Sequence, residues 1–274
     1  MRGISRTSLA EVTRRLDENV LASAGTASSG VSLGGELFEV VALLANEHSL
    51  RRWLADQATP AEAKSTLIGQ LLETKVSPSA VMVASDVVSA KWSGARDLVD
   101  AMERMAVYVT VAGLQSASAL DELEDELFRF QRIVVAEPEL RDALTRDGAA
   151  PELRLSLVED LLSGKVNPAT LTLIGEAVTR PRGRTLEQAL DNYGQLVAER
   201  AKRYVAVVRS AVALSENQQS RLGTALSRAY GRDIHLNIEV TSEVVGGLSI
   251  QVGDEVIDGT IAGRIAEVQR RLAG

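Results

Sequence analysis

The chain has no cysteine, and only two of its 274 residues are histidines, His48 and His235. Disulfide frameworks, thiolate zinc sites and cysteine nucleophiles are therefore excluded together. Histidine-based metal or acid–base chemistry is left with almost no donors, and the two histidines lie far apart in sequence with no ligand set around either. Aromatic residues make up 3%, too few for a base-stacking platform. An excess of basic charge is also missing. Thirty Lys and Arg stand against 37 Asp and Glu, a formal charge of -7, which is the wrong sign for a polyanion partner, so nucleic acid is set aside. No apolar run approaches the roughly 20 residues of a membrane helix, and the amino terminus carries no signal-like hydrophobic stretch. A soluble intracellular chain with no direct membrane span is expected. No cofactor, metal or catalytic residue is assigned.

What the sequence does have is a repeat. At an offset of 90, Glu36, Leu37 and Phe38 return as Glu126, Leu127 and Phe128, and Leu50, Arg51 and Leu54 return as Leu140, Arg141 and Leu144. Lys75, Val76 and Pro78 return as Lys165, Val166 and Pro168, and about 15 of 53 positions between 36 and 88 are identical without a gap. A match of that length signals a duplicated unit. It continues more weakly upstream, with Arg6 against Arg96 and Ala22 against Ala112.

Local signals make the repeated unit helical. Ser77-Pro78 and Asn167-Pro168 place a capping side chain before a proline at the first helical position, where the missing N–H costs nothing. Thr59-Pro60-Ala61-Glu62 predicts a third such start, with Pro151 doing similar work one residue out of register. Leu67, Leu71 and Leu72, and again Leu157, Leu161 and Leu162, follow helical spacing. Each copy reads as a bundle of five or six short helices. Residues 95–114 align both with residues 5–24 and, approximately, with 184–203, so one long helix is predicted to serve both bundles.

After residue 203 the texture changes. Tyr204 to Val208 and Ala211 to Leu214 favour strands. Ser215-Glu216-Asn217-Gln218 is a capping box that opens a helix to about Tyr230, closing at Gly231. Ile234, Leu236, Ile238 and Val240 alternate with polar residues as a half-buried strand does. Residues 247–252 read as another strand, Gly253-Asp254 as a two-residue hairpin turn, and Ile261, Ile265, Val268 and Leu272 as one face of a last helix. The fold class is mainly α: two tandem helical bundles sharing a long helix (1–114 and 95–203), then a small α+β domain (204–274).

The run from Val244 to Thr260, which includes Gly246, Gly247, Gly253, Asp254, Asp258 and Gly259, resembles the signature of the delta subunit of F-type ATP synthases, the family of the oligomycin-sensitivity-conferring protein. The stretch from Val207 to Ser215 also resembles it. Two positions depart: Thr241 and Ser242 stand near the place of an Asp-Pro pair, and Thr260 replaces a serine. The additional bundle is similar to the long form of the family, with a duplicated helical domain. The resemblance implies a non-catalytic stator subunit that ties the catalytic head to the peripheral stalk on the cytoplasmic face of the bacterial plasma membrane. It implies that amino-terminal segments of the alpha subunits lie on the first and fifth helices, here residues 5–24 with 77–90 and, in the second copy, 95–114 with 167–180. The small domain is implied to contact the carboxyl-terminal part of the b subunit. A helix in a groove is held by apolar anchors at spacings of three and four; Leu9, Val12 and Leu16 supply one such stripe and Val83, Val87 and Val88 another. The same stripes equally suit a bundle core, and periodicity does not separate the two.

Other motifs have plainer readings. Gly30-Val31-Ser32-Leu33-Gly34 matches the nucleophile elbow of hydrolases, and a serine hydrolase using Ser32 is the alternative function. That chemistry needs a strand before the serine, a helix after it and a histidine in reach. The preceding Gly-Ser-rich run instead reads as an inter-helix loop. The glycines near 246–259 lack the Gly-Lys-Ser or Gly-Lys-Thr ending of a phosphate loop. Arg180, Arg182, Arg184, Arg200, Lys202 and Arg203 form the most basic stretch, suited to an acidic stalk segment or to plain solvation. Asp121 to Glu126 read as acidic residues favoured by a helix amino terminus.

Overall fold

The computed structural model describes residues 3–21, 27–112, 114, 117–146, 150–202, 205–230, 234–241, 244, 246–252 and 255–259. Helix α1 (Ile4–Leu16) runs into a π-helical segment, Asp17–Leu21. There follow α2 (Ala27–Asn46), α3 (His48–Ala55), α4 (Ala61–Leu72), α5 (Pro78–Ser89) and α6 (Ala95–Thr110). The second run is α7 (Ala117–Ala136), α8 (Pro138–Thr145), α9 (Pro151–Leu162), α10 (Pro168–Thr179) and α11 (Leu186–Ala201). Subtracting 90 from the bounds of α7 to α11 returns those of α2 to α6 to within one residue, and α1 stands in the same relation to the first part of α6.

The helix starts follow the capping chemistry. Ser77 Oγ accepts from Ala80 N at 3.3 Å and Asn167 Oδ1 from Ala169 N at 2.9 Å, each with proline next in line. Pro60 departs from expectation: it is the cap of α4 rather than its first residue, and Thr59 makes no cap bond, whereas Pro151 does open α9. The Gly-Ser-rich segment also departs. Residues 30–34 lie inside α2, not in a loop. Burial explains this, since Leu37, Phe38, Val41 and Leu44 are fully buried and each contributes about 1.5–3 kcal/mol, more than the roughly 1 kcal/mol a helical glycine loses against alanine.

The second half of helix α6 is buried on every side, Met105 to Thr110 all being covered, whereas in its first half Leu98 and Met102 are buried but Arg96 is exposed and Asp100 and Arg104 are half-buried. The segment covered all round lies in the core, while the Arg96–Asp100–Arg104 stripe gives the first half a polar face. The helix packs against α1, α2, α3 and α5 from the first run and against α10 from the second. It ends at Thr110, and Val111 and Ala112 form a turn in which Ala112 N donates to Val109 O. By contact density the chain divides into a helical unit, Met1–Leu114 with Leu123–Val197, and a second unit, Gln115–Glu122 with Ala198–Gly274.

The second unit holds a four-stranded sheet in the order β2-β1-β3-β4: β1 (Val205–Ser210), β2 (His235–Val240), β3 (Leu248–Val252) and β4 (Glu255–Asp258). Strands β1 and β2 are parallel, joined through α12 (Glu216–Tyr230); β1 pairs antiparallel with β3, and β3 with β4. Ala206, Val208, Ile250 and Val252 alternate inward to meet Leu226 and Ile234, the two-residue period of a strand with one buried face. The capping box forms: Gln218 N donates to Ser215 Oγ and Ser215 N to Gln218 Oε1. Residues 211–214 are not a strand, because the paired part of β1 ends at Ser210, which lies opposite Val240 and Leu248. The connection from Val252 to Glu255, which pair with each other, is two residues long. Gly253, Asp254 and the last predicted helix, with Gly113, Gly231 and Thr260, lie outside the described residues.

Candidate functional site

The residues proposed from the sequence as partner anchors are mostly covered by the chain itself. Val12, Leu16, Val83, Val87 and Val88 are all buried, while Leu9 is half-buried. They lie where α1 and α5 pack on each other and on α6. Of the same two helices, Arg6, Ala10 and Met82 are exposed, and Asp86, Ser89 and Ala90 half-buried. Ser5 fixes the pair to the start of α6, donating to Asp97 Oδ2 at 2.6 Å and accepting from Ser93 N at 2.8 Å.

Across the repeat the corresponding pair is α6 with α10, and it is occupied. Helix α2 packs against both. Gly35, Glu39 and Val40 share a cleft with Glu176 of α10, and Ala42, Ala45 and Asn46 share a second with Thr179, Arg180, Val99 and Asp100. The second receiving surface expected from the resemblance, residues 95–114 with 167–180, is thus covered by the chain's own α2.

The contact is held by ions that sequence reading gave either to an acidic stalk segment or to solvent. Arg180 bridges Glu39 at 2.6 Å and Glu176 at 3.0 Å. Arg184 grips Glu103 with two parallel bonds of 2.8 and 2.9 Å, the bidentate geometry that makes guanidinium–carboxylate pairs strong. Arg182 donates to Glu103 at 2.6 Å and to the Tyr193 hydroxyl, and its guanidinium stands 5.9 Å from the Phe38 ring centre. Phe38 meets Tyr193 edge-on at 6.1 Å. Every one of these contacts except Arg180–Glu176 and Arg182–Tyr193 joins the first run of helices to the second. Arg182 adopts a left-handed φ of 52°, followed by Gly183 at 73°. Such a conformation costs a non-glycine residue about 1–3 kcal/mol and persists because its surroundings over-determine it.

The titration of this cluster follows from burial against charge. Burial pushes the Glu103 carboxyl up, but its hydrogen bonds and charge contacts with Arg184 and Arg182 outweigh that and hold it below the ordinary carboxylate range. Glu176 and Asp100 go the other way: burial raises both, and the nearby arginines only partly offset it. Burial also pushes Tyr193 up, so its hydroxyl stays protonated.

The repeat has a second device. Glu36 accepts from Ser77 N at 2.9 Å and from Ser77 Oγ at 2.5 Å. Ninety residues on, Glu126 accepts from Asn167 N at 3.1 Å and from the Thr170 hydroxyl. Each carboxylate tethers the start of the fifth helix of its copy. Glu126 therefore serves α10 rather than the start of its own helix, and Asp121 to Asp125 lie beyond the first turn of α7, which begins at Ala117.

Ser32 is exposed and mid-helix in α2, so the strand–turn–helix of a nucleophile elbow is absent there. Gly34 has a packing role instead: a Cβ on it would overlap the Thr110 hydroxyl and stand 2.9 Å from Thr110 Cα. Among the described residues no group of His, Asp and Glu could hold a metal ion, and no helix is long and apolar enough to cross a membrane. His48 opens α3 and contacts Arg51. Arg200 is buried and Lys202 exposed. In the second unit Gly246 and Gly247 take φ of 67° and 82°, entering β3. Gly259 N donates to Leu248 O at 2.9 Å, and a Cβ there would stand 3.1 Å from the same oxygen. Asp258 pairs with Ser249 at the end of β4.

A duplicated helical scaffold, with its polar groups spent on internal ties and a glycine-marked sheet unit after it, has the design of a structural subunit. Residues 107–272, more than half of the chain, match the family ATP synthase delta (OSCP) subunit. Over its whole length the chain is 69% identical to ATP synthase subunit delta of Thermobifida fusca and 45% identical to that of Streptomyces griseus, with both proteins covered completely. Against that of Acidothermus cellulolyticus it is 41% identical over 273 residues, again across all of both chains. The chain belongs to the ATP synthase delta (OSCP) subunit family.

Proposed function

We propose that the chain is the non-catalytic stator adaptor of a bacterial F-type ATP synthase. It ties the catalytic head, through amino-terminal segments of the alpha subunits, to the b subunit of the peripheral stalk, and so resists rotor torque during proton-driven synthesis. It is held peripherally on the cytoplasmic face of the plasma membrane by those partners. The observation that carries this reading is the full-length identity to ATP synthase delta subunits, first helical copy included. The interior supports it physically: a tie that bears load must transmit strain, which close-packed cores do, and the second half of α6, Met105 to Thr110, is covered on every side.

Two measurements test it. Tagged chain added to detergent-solubilised membranes brings down alpha and b subunits in stoichiometric amounts, and membranes stripped of the chain hydrolyse ATP but lose proton-driven synthesis until it is restored. Recovery of no ATP synthase subunit rejects the reading. For the glycine signature, Gly247→Val weakens the second unit and its hold on the b subunit; unchanged melting and unchanged stalk binding would count against that assignment.

A further inference from the structure

The repeat gives a helix face in one copy a counterpart in the other. The outward ridge of α2 runs Phe38, Glu39, Ala42 and Ala45, spaced for one helix face, and the second copy meets it. Phe38 is fully buried against Tyr193 and Arg182, Glu39 pairs with Arg180 at 2.6 Å, and Ala42 and Ala45 line the cleft shared with Thr179 and Arg180. Ninety residues on, the ridge of α7 runs Phe128, Arg129, Arg132 and Val135, and it stands open among the described residues. Phe128 is 55% exposed and Val135 59%, with Ile133 beside them at 50%. The inner side of α7 is engaged: Leu123, Leu127, Phe130 and Val134 are buried, and Gln131 Nε2 donates to Glu187 O of α11 at 3.2 Å.

The composition of the open ridge is that of a contact surface. From Leu127 to Ala136 there is no Asp, Glu or Lys, and the larger Val135 stands where the first copy has Ala45. Aromatic residues and arginine, with lysine and carboxylates missing, mark interfaces between proteins, whereas a face kept in water carries the reverse. Charge is inverted between the two ridges. The second copy answers Glu39 of α2 with Arg180; on α7 the same place holds Arg129, so the answering group has to be a carboxylate. The cation over the ring also changes source: Phe38 takes Arg182 from the other copy at 5.9 Å, whereas Phe128 takes Arg132 from its own helix at 6.0 Å. Within the chain Arg129 has only a 3.5 Å contact with Asp125, the two side chains being 70 and 69% exposed, which holds neither of them firmly.

We infer that the outward ridge of α7 is a docking surface for an acidic amphipathic helix of the peripheral stalk, which lays an apolar stripe on Phe128 and Val135 and sets carboxylates against Arg129 and Arg132. This rests on the stator reading, in which the alpha segments have receiving helices of their own and the b subunit is the other partner. It extends that reading: the b subunit is gripped by the second helical copy as well as by the small domain.

The test uses the full chain and membranes stripped of it. A photo-reactive benzoyl-phenylalanine in place of Val135 cross-links to the b subunit in the rebuilt enzyme. The double variant Arg129→Glu with Arg132→Glu weakens rebinding to the stripped membranes at least about tenfold, because like charges then face each other across the contact. Arg52→Glu, at an exposed position of α3, leaves rebinding unchanged. Should the double variant melt below the parent chain, Phe128→Ser, which alters only an exposed ring, replaces it with a loss in the same direction. Full rebinding by the variant, or a cross-link from position 135 to the alpha subunit, to a second copy of the chain or to nothing, overturns the inference and leaves the stator reading intact. A parent chain that captures no ATP synthase subunit removes both.

Discussion

At the scale of single residues, Gly34 makes the sharpest claim. Its Cα faces Thr110 so closely that even a methyl group displaces backbone, because 2.9 Å to Thr110 Cα is below any ordinary contact. Gly34→Ala is therefore expected to destabilise the helical unit by about 1–3 kcal/mol, the usual cost of overpacking, although alanine is the better helix former. Chemical denaturation of the two proteins measures it, and a more stable alanine variant would mean that α2 and α6 do not meet there. Thr110→Ala gives only partial rescue, since the Cα obstacle remains. The same reasoning applies to Gly247, whose φ of 82° costs an L side chain about 1–2 kcal/mol. Gly35, one residue from Gly34, has open space where its Cβ would be. Gly35→Ala tests propensity alone and is expected to be neutral or mildly stabilising.

At the scale of elements, the repeated carboxylate tethers predict a coupling that appears twice. Removing Ser77 or Glu36 frees a backbone donor at the start of α5, at about 1 kcal/mol each. Because they touch each other, the double variant Glu36→Ala with Ser77→Ala loses less than the sum, by about 0.5–3 kcal/mol. The cycle Glu126→Ala with Thr170→Ala behaves alike at the start of α10, where Thr170 is the side chain that donates to Glu126. Additive losses in both cycles would show that these contacts carry no energy. The proline-led caps behind this prediction were legible in the sequence, since a cap and its helix are neighbours along the chain; so were the capping box of α12 and the alternation of β2. The start of α2 was not legible: glycine and serine favour a loop locally, and the helix is imposed by Leu37, Phe38 and Leu44 packing on an element some 65 residues away. Nor were the roles of Arg180, Arg182 and Arg184, whose partners Glu39 and Glu103 lie 79 to 141 residues off and leave no local pattern. Of the candidate site, the helices were legible as a pair, but whether Val12, Leu16 and Val83 line a groove or fill a core depended on what else packs there. Burial, not periodicity, separates the two.

At the scale of the whole helical unit, those arginines make its two ninety-residue halves one stability problem with a defined pH dependence. Glu103 is held below the ordinary glutamate value of 4.5, so the native state has fewer protons on it than the unfolded chain in that range. Its contribution is complete above pH 4.5 and is lost as pH falls through the depressed native value. Glu176 and Asp100 are raised by burial, so the native state takes up protons first. As pH falls towards their unfolded values they add stability instead of removing it. Melting temperature measured downward from neutrality therefore holds or rises slightly, then drops steeply once Glu103 titrates. The two glutamines that replace these glutamates should diverge at pH 7. Glu103→Gln leaves Arg182 and Arg184 poorly compensated in a buried place and costs about 3–5 kcal/mol, with a flatter acid limb. Glu176→Gln removes a charge that burial opposes and is neutral to mildly stabilising. In Glu103→Gln, amide exchange speeds up first in α10 and in the turn holding Arg182, where the contacts between copies are lost, ahead of the buried second half of α6. If the two variants shift the neutral-pH melting temperature equally, the cluster is not what binds the copies, and the apolar contact of α2 with α6 and α10 must hold the halves together unaided.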